Sequence, residues 1–280
     1  MLDSGRAISP ANLYAAGDSS RRRSAVQFEI GAAINDKETL RSNLMASSLL
    51  NDDDVHSLFI EDARCASIAY NNVLENTTSP YVILAHQDVY LPRGFKEDLL
   101  AGILAIERTD KNWGVLGIVG IDVMSTLQGR LWSNGLQIEV GAQIEFPMPV
   151  VSIDELLIVL RRDSGLFFDG NLPGFHLYGT DIVLTALERG LGAYVFDGPV
   201  IHNSLPVKTL KSDYEAAYRF MQRKWRHRLP LQSLIVPITR TLWPLRKRKI
   251  RALKRRFMGP KYVTQRHPDP AALAHELGYE

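Results

Sequence analysis

The feature that most constrains this chain is a strict alternation of short apolar runs with segments of helical period, beginning at Ala25. The run through Ala25, Phe28, Ile30 and Ile34 reads as a buried strand, and Asn35-Asp36-Lys37 then opens a helix carrying Leu40, Leu44 and Leu49. His56 to Ile60 is the next strand. Its exit, Glu61-Asp62, leads into a helix marked by Ile68, Tyr70, Val73 and Leu74, which Asn76 to Pro80 stops. Tyr81 to Ala85 is a third strand. A helix starting near Pro92 or Arg93 follows, with Phe95, Leu99, Leu100, Ile103 and Ile106 on one face, and Gly114 to Gly120 gives a fourth strand. Such alternation predicts an α/β fold with parallel strands joined by right-handed crossovers, its ligands gathering at the carboxyl ends of the strands.

Those ends carry polar side chains: Asn35, Glu61-Asp62 and His86-Gln87-Asp88. Beyond Ile121 the segments shorten, and Leu131 to Val140 and Met148 to Leu160 read as antiparallel or mixed additions to the sheet. A helix over Gly179 to Arg189, a strand at Ala193 to Phe196, the run Pro199-Val200-Ile201-His202 and a helix over Ser212 to Arg228 complete the pattern. The expected organisation is a loose leader at 1–24, an α/β domain at 25–207 and a helical basic extension at 208–280.

The extension concentrates cations. Arg246, Lys247, Arg248, Lys249, Arg251, Lys254, Arg255 and Arg256 fall in a stretch without an acid, although the whole chain carries only +2. With Trp225, Leu242, Trp243, Leu245 and Phe257 interspersed, the readings in order are a solvated helix face, an amphipathic surface for anionic lipid and, third, nucleic acid. Prolines at 230, 237 and 244 argue against one unbroken helix there. Specific nucleic-acid binding is not expected. The single cysteine, Cys65, excludes an internal disulfide framework and a cysteine-rich zinc site and favours a reducing, cytoplasmic compartment. No apolar stretch approaches the roughly 18 to 20 residues that span a bilayer, and the start of the chain has no secretory-signal core.

The most informative string is Tyr81-Val-Ile-Leu-Ala-His86-Gln87-Asp88-Val-Tyr90-Leu-Pro92. A buried strand delivers two potential ligands to its end, and their spacing puts both on one face if the extended conformation persists. An ionised Asp88 there suits a hard divalent ion, and suits equally the capping of the helix that follows. The string resembles the Asp-x-Asp region of family 2-like glycosyltransferases of the GT-A fold. It is more particularly similar to a bacterial subgroup with a Tyr-Asn helix, here Ala66-Ser67-Ile68-Ala69-Tyr70-Asn71-Asn72-Val73-Leu74, followed by a His-Gln-Asp-Val loop. The resemblance runs from about Ile30 to His202.

The resemblance implies a GT-A-like mixed sheet flanked by helices and a metal-dependent, inverting transfer from a nucleoside diphosphate sugar to a saccharide or lipid-linked acceptor, of the kind used in polysaccharide synthesis. It implies that Asp88 and the late His202 ligate Mn2+ or Mg2+, and that His86 stands where the first acid of Asp-x-Asp would be. Asn35, Glu61, Asp62, Asn71, His86, Gln87 and Asp88 become nucleotide or donor contacts, with Asp62 serving equally as an N-cap. Asp154 and Trp132 become candidates for sugar or acceptor contact, while Trp113 and Trp132 are equally at home in a core. Phe167-Phe168-Asp169-Gly170 and Tyr178-Gly179-Thr180-Asp181 match the family's Phe-Asp segment and acidic helix start, which makes Asp181 the general base; an acid stabilised in a helix first turn is the alternative. Two other classes fit the same residues: a non-catalytic nucleotide- or carbohydrate-binding module, and a metal-dependent phosphoesterase.

Overall fold

The computed structural model describes residues 7–8, 28–206, 210, 212–258 and 263–280, with side chains undescribed at 7–8 and 252–258. In chain order the elements are β1 (Ala7–Ile8), β2 (Phe28–Ile34), α1 (Lys37–Ser42), β3 (Val55–Glu61), α2 (Ala66–Asn76), β4 (Tyr81–Ala85), β5 (Val89–Tyr90) and α3 (Phe95–Thr109). There follow β6 (Trp113–Gly117), β7 (Val119–Ile121), β8 (Leu127–Ser133), β9 (Ile138–Ala142), β10 (Met148–Pro149), β11 (Ser152–Ile153), β12 (Leu157–Arg161) and α4 (Tyr178–Glu188). The chain ends with β13 (Gly192–Val195), β14 (Ile201–His202), α5 (Ser212–Lys224), α6 (Trp243–Met258) and α7 (Pro270–Glu276). Apart from Ala7–Ile8, the expected leader lies outside the described residues.

The architecture is the expected α/β type. A large sheet runs in the order β1-β3-β2-β4-β12-β6-β13-β10, and a second in the order β11-β7-β8-β14-β5 with β9 on β8. Strands β2, β3 and β4 pair in parallel, as do β6 and β13. The shorter segments after Ile121 do add antiparallel strands, but β12 enters the middle of the sheet, antiparallel to both β4 and β6. Its run Leu-Ile-Val-Leu is buried throughout, which suits a strand covered on both faces.

Two apolar layers cover the large sheet. One joins β2 and β3 to α1 and α3; the other joins α2 and α4 to Tyr214, Ala217, Tyr218, Met221 and Trp225 of the α5 region and to Leu231, Val236, Ile238 and Leu245. The segment after residue 207 therefore shares the principal core and is not an appendage. As expected there is no single unbroken helix: Pro230 and Pro237 lie in the non-helical stretch between α5 and α6, while Pro244 falls in the first turn of α6, where its missing N–H costs no hydrogen bond.

The helix expected from Asp36 through Leu49 is shorter for an identifiable reason. Asp36 caps it, accepting from the N–H groups of Glu38 and Thr39, but buried Asn43 donates its side-chain amide to the Thr39 carbonyl and the chain breaks into two 3-10 turns. Truncating the central strand tests this packing: Ile158→Ala, at a fully buried position between β4 and β6, should cost about 2–5 kcal/mol in urea denaturation. A loss under about 0.5 kcal/mol would contradict a close-packed β12.

Candidate active site

The carboxyl ends of β2, β3 and β4 open on one cavity of about 470 Å3, lined by Ala33, Ile34, Asn35, Asp62, Ala63, Tyr70, His86, Gln87, Asp88 and Phe175. The β4–β5 connection carries the chain from the large sheet into the second sheet at the edge of this cavity. His202 pairs with Val89 in an antiparallel ladder, and the Asn203 N–H donates to the Asp88 carbonyl at 2.8 Å. In consequence His86, Asp88 and His202 each present one ligand atom, all within 4.8 Å of one another.

The electrostatics of this trio suit a cation. Burial works against the charge on Asp88, but His202, 3.5 Å away through Nε2, holds its carboxyl far below the usual range. Burial likewise opposes a proton on His202, and the Asp88 carboxylate more than offsets it, so the imidazole's pKa is raised. A metal ion at this position takes the place of that proton. Burial lowers the pKa of His86 and keeps it neutral, and its tautomer follows from a proton count. The Tyr178 hydroxyl, held well above its ordinary pKa by burial, donates its one proton to the Glu155 carbonyl at 2.8 Å. The 2.7 Å contact to His86 Nε2 must then be donated by the histidine, which leaves the Nδ1 lone pair for a ligand. A separation of 3.5 Å is about what two donors at roughly 2.1 Å from one ion span at a tetrahedral angle. The residues present therefore fit a divalent metal.

Several other candidates occupy different positions from those expected. Gln87 does not point a free amide into the cavity: its Oε1 accepts from the N–H groups of Asn35 (3.0 Å) and Asp36 (3.1 Å), and its Nε2 donates to Asn35 Oδ1 at 2.6 Å. The pair shapes the cavity wall. Asp62 is exposed on that wall with φ of 53°, a left-handed backbone uncommon outside glycine, and it is not an N-cap, since α2 starts four residues later from Cys65. Glu61 is engaged by Lys37 at 2.7 Å. Asn71 binds the Phe168 main chain with both ends of its amide, at 2.9 Å each, so it fixes the irregular segment leading to Asp169.

Two further candidates are engaged by other parts of the fold. Asp181 is 1% exposed, and its oxygens are taken by Lys224 Nζ (2.8 Å) and Trp225 Nε1 (2.7 Å); it anchors α5 under α4 and is closed to an acceptor. The acid fits the first turn of a helix electrostatically, which is why its sequence position alone does not distinguish the roles. Trp132, on β8, is half-buried against the cluster of Tyr90, Ile201, Leu273 and Ala274, and Trp113 is fully buried and stacked on Tyr81.

Residues 42–195 match a family model described as a glycosyltransferase-like family. The chain belongs to that family. A curated relative, the ATP synthase subunits region ORF 6 of Fuscovulum blasticum, is 32% identical over 139 residues, which are 48% of this chain and 55% of that protein. The chain thus spans about half the length of the relative it matches. Among solved structures, GalNAc-T7 with UDP, GalNAc and Mn2+ aligns with 73% of this chain and 48% of its own at 10% identity and a TM-score of 0.45. S. aureus TarS 1–349 aligns with 70% and 64% at 11% identity and 0.42. These two likenesses concern the course of the chain and say nothing of substrate.

Within this glycosyltransferase-like site, sequence reasoning missed Glu155, Tyr178 and Asn203. Glu155 accepts from the N–H groups of Leu177 and Gly179 at the start of α4, and burial, aided by the charge of Asp154, raises its pKa to about 8. Gly179 permits the approach, since a Cβ there would lie 2.8 Å from the Ile153 carbonyl oxygen. Asp154 accepts from the Leu156 N–H at 3.0 Å, and its charge acts on both His86 and His202.

A carboxyl whose folded pKa lies above its ordinary 4.5 stabilises below that value and loses its contribution as pH rises toward 8. The melting temperature of the natural chain should therefore fall relative to Glu155→Gln between pH 4.5 and about 8 and run parallel above it; a constant difference would contradict the burial of this acid. Asp181→Asn should cost roughly 1–3 kcal/mol in denaturant titrations and leave metal binding intact. Loss of Mn2+ affinity in a folded Asp181→Asn chain would contradict its assignment as an anchor.

Proposed function

We propose that the chain transfers a sugar from a nucleoside diphosphate sugar to an acceptor hydroxyl with inversion at the anomeric carbon. The observation that carries this reading is the meeting of His86, Asp88 and His202 at a cavity formed by the ends of three parallel strands. Two imidazoles and one carboxylate favour Mn2+ over Mg2+, which prefers an all-oxygen shell. A bound Mn2+ would supply the positive charge that neutralises the departing diphosphate.

The protein's own groups account for the remainder. His86 is oriented by Tyr178, and Tyr178 by the Glu155 carbonyl, so the ligand set is fixed from behind. With Asp181 sequestered, we assign the acceptor proton to Asp154, whose charge acts on both His86 and His202. The acceptor oxygen bonds to the anomeric carbon, its proton passes to Asp154, and the bond between that carbon and the diphosphate oxygen breaks on the opposite face. Glu155, with a pKa near 8, is mostly protonated at neutral pH and does not compete for the role.

A lipid-linked acceptor at the cytoplasmic face of a membrane is supported by α6, which carries Arg246, Lys247, Arg248, Lys249 and Arg251 beside Trp243 and Ile250, 61% and 50% exposed. No helix among the described residues is long and apolar enough to cross a membrane.

Thermal-shift screening of uridine, guanosine, adenosine and thymidine diphosphates with Mn2+ tests the reading. One of them should stabilise the chain, by about 2.7 kcal/mol at 100 times its dissociation constant, and Asp88→Ala should abolish the effect. Asp154→Asn should keep nucleotide binding and lose roughly 100-fold or more in sugar transfer. No shift with any of the four, or full transfer by Asp154→Asn, would overturn the corresponding part.

A further inference from the structure

The metal-site trio has one more charged neighbour, from far outside the family-matched range. The segment after residue 262 returns across the second sheet and is fixed on both sides of Arg266. Asn203, which follows His202, donates from Nδ2 to the His267 carbonyl at 2.9 Å and accepts the His267 N–H at Oδ1 at 2.7 Å. The same Nδ2 donates to Asn43 Oδ1 at 2.8 Å, so a buried amide hub ties the α1 break, the end of β14 and the C-terminal segment together. On the other side of Arg266, Asn134 Nδ2 reaches the Gln265 carbonyl at 3.4 Å.

Further along, Asp269 caps α7, Leu273 and Ala274 are buried with Tyr90 and Ile201, and Glu280 accepts from the Tyr90 hydroxyl (2.8 Å) and the Arg93 N–H (3.0 Å). Arg266 therefore sits on a support that is held at both ends. Its neighbour His267 is bonded through the main chain to Asn203, next to His202, and the Arg266 charge acts on Asp88, His202 and Asp36, so the guanidinium lies within electrostatic reach of the trio. Its Nε is buried and has no hydrogen-bond partner among the described residues.

Holding a guanidinium there with an open donor is costly unless an anion completes it. A ligated divalent ion would draw on the same Asp88 charge, which leaves the guanidinium short of an anion of its own. A nucleoside diphosphate carries more negative charge than one ligated divalent ion neutralises, and a planar fork of N–H donors matches phosphate oxygens.

We infer that Arg266, presented by the docked C-terminal segment, is a second cationic contact for the diphosphate of the donor, so that residues 263–280 complete the donor site. The inference rests on the nucleotide-sugar reading, and the experiment separates the two. Calorimetric titration of the full chain with uridine, guanosine, adenosine and thymidine diphosphates, each with Mn2+, is compared for the natural protein, Arg266→Gln and Arg266→Lys; Mn2+ alone is titrated by electron paramagnetic resonance. The expected result is one diphosphate bound by the natural chain, at least tenfold more weakly by Arg266→Gln and by an intermediate factor by Arg266→Lys, with Mn2+ binding retained in both. If the natural chain binds a diphosphate and Arg266→Gln binds it within twofold, the contact is overturned and the nucleotide reading stands. Should both variants lose Mn2+ and nucleotide together, Arg266 is a structural residue and the contact is likewise overturned. If the natural chain binds none of the four, the nucleotide reading fails and takes this inference with it.

Discussion

The antiparallel pairing of His202 with Val89, inside the second sheet, holds one candidate ligand beside the β4–β5 loop that carries the other two. His86 and Asp88 leave the large sheet at the end of β4, while His202 arrives on a two-residue strand of the smaller sheet. Neither sheet holds a ligand set alone. The Asn203 N–H bond to the Asp88 carbonyl locks the register, and a slip by one residue would turn His202 to the opposite face. Everything proposed for the metal depends on that short ladder, which is stiffened by the buried Asn43–Asn203 amide pair behind it.

How much of this was legible in the sequence divides along physical lines. The parallel strands and their covering helices were readable because each buries apolar residues at a fixed period, and the site fell at the strand ends for topological reasons. His86, Asp88 and His202 were found through their resemblance to a family, and they converge. The placement of β12 was not readable, since a buried apolar run does not say which neighbours it will have. Asp181 and Asn71 illustrate a harder limit. Each has the residue type and position that the family pattern asks for, but Lys224 and Trp225 claim one and the Phe168 main chain claims the other. Those partners lie 43, 44 and 97 residues away in sequence, beyond any local signal.

The same reasoning explains what went unnoticed. Glu155 adjoins Asp154 and looks like half of a solvated acidic pair. Only the fold shows that one carboxyl is driven toward its protonated form at the α4 N-terminus while the charge of its neighbour acts on the imidazoles. Environment thus separates two adjacent acids into different roles. The C-terminal segment likewise reads as a basic tail but contributes to the principal core through α5 and to the wall of the second sheet through α7. Trp132 is half-buried against a cluster to which that segment contributes Leu273 and Ala274.

The claim from which the rest follows is that two imidazoles and one carboxylate jointly hold a single divalent ion. Pulsed electron paramagnetic resonance on the purified chain with one equivalent of Mn2+ tests it most directly. The account predicts one bound Mn2+ with nitrogen couplings from two imidazoles, one of which disappears in His202→Ala. Bound Mn2+ without imidazole nitrogen in its shell, or no bound Mn2+ at all, would contradict it.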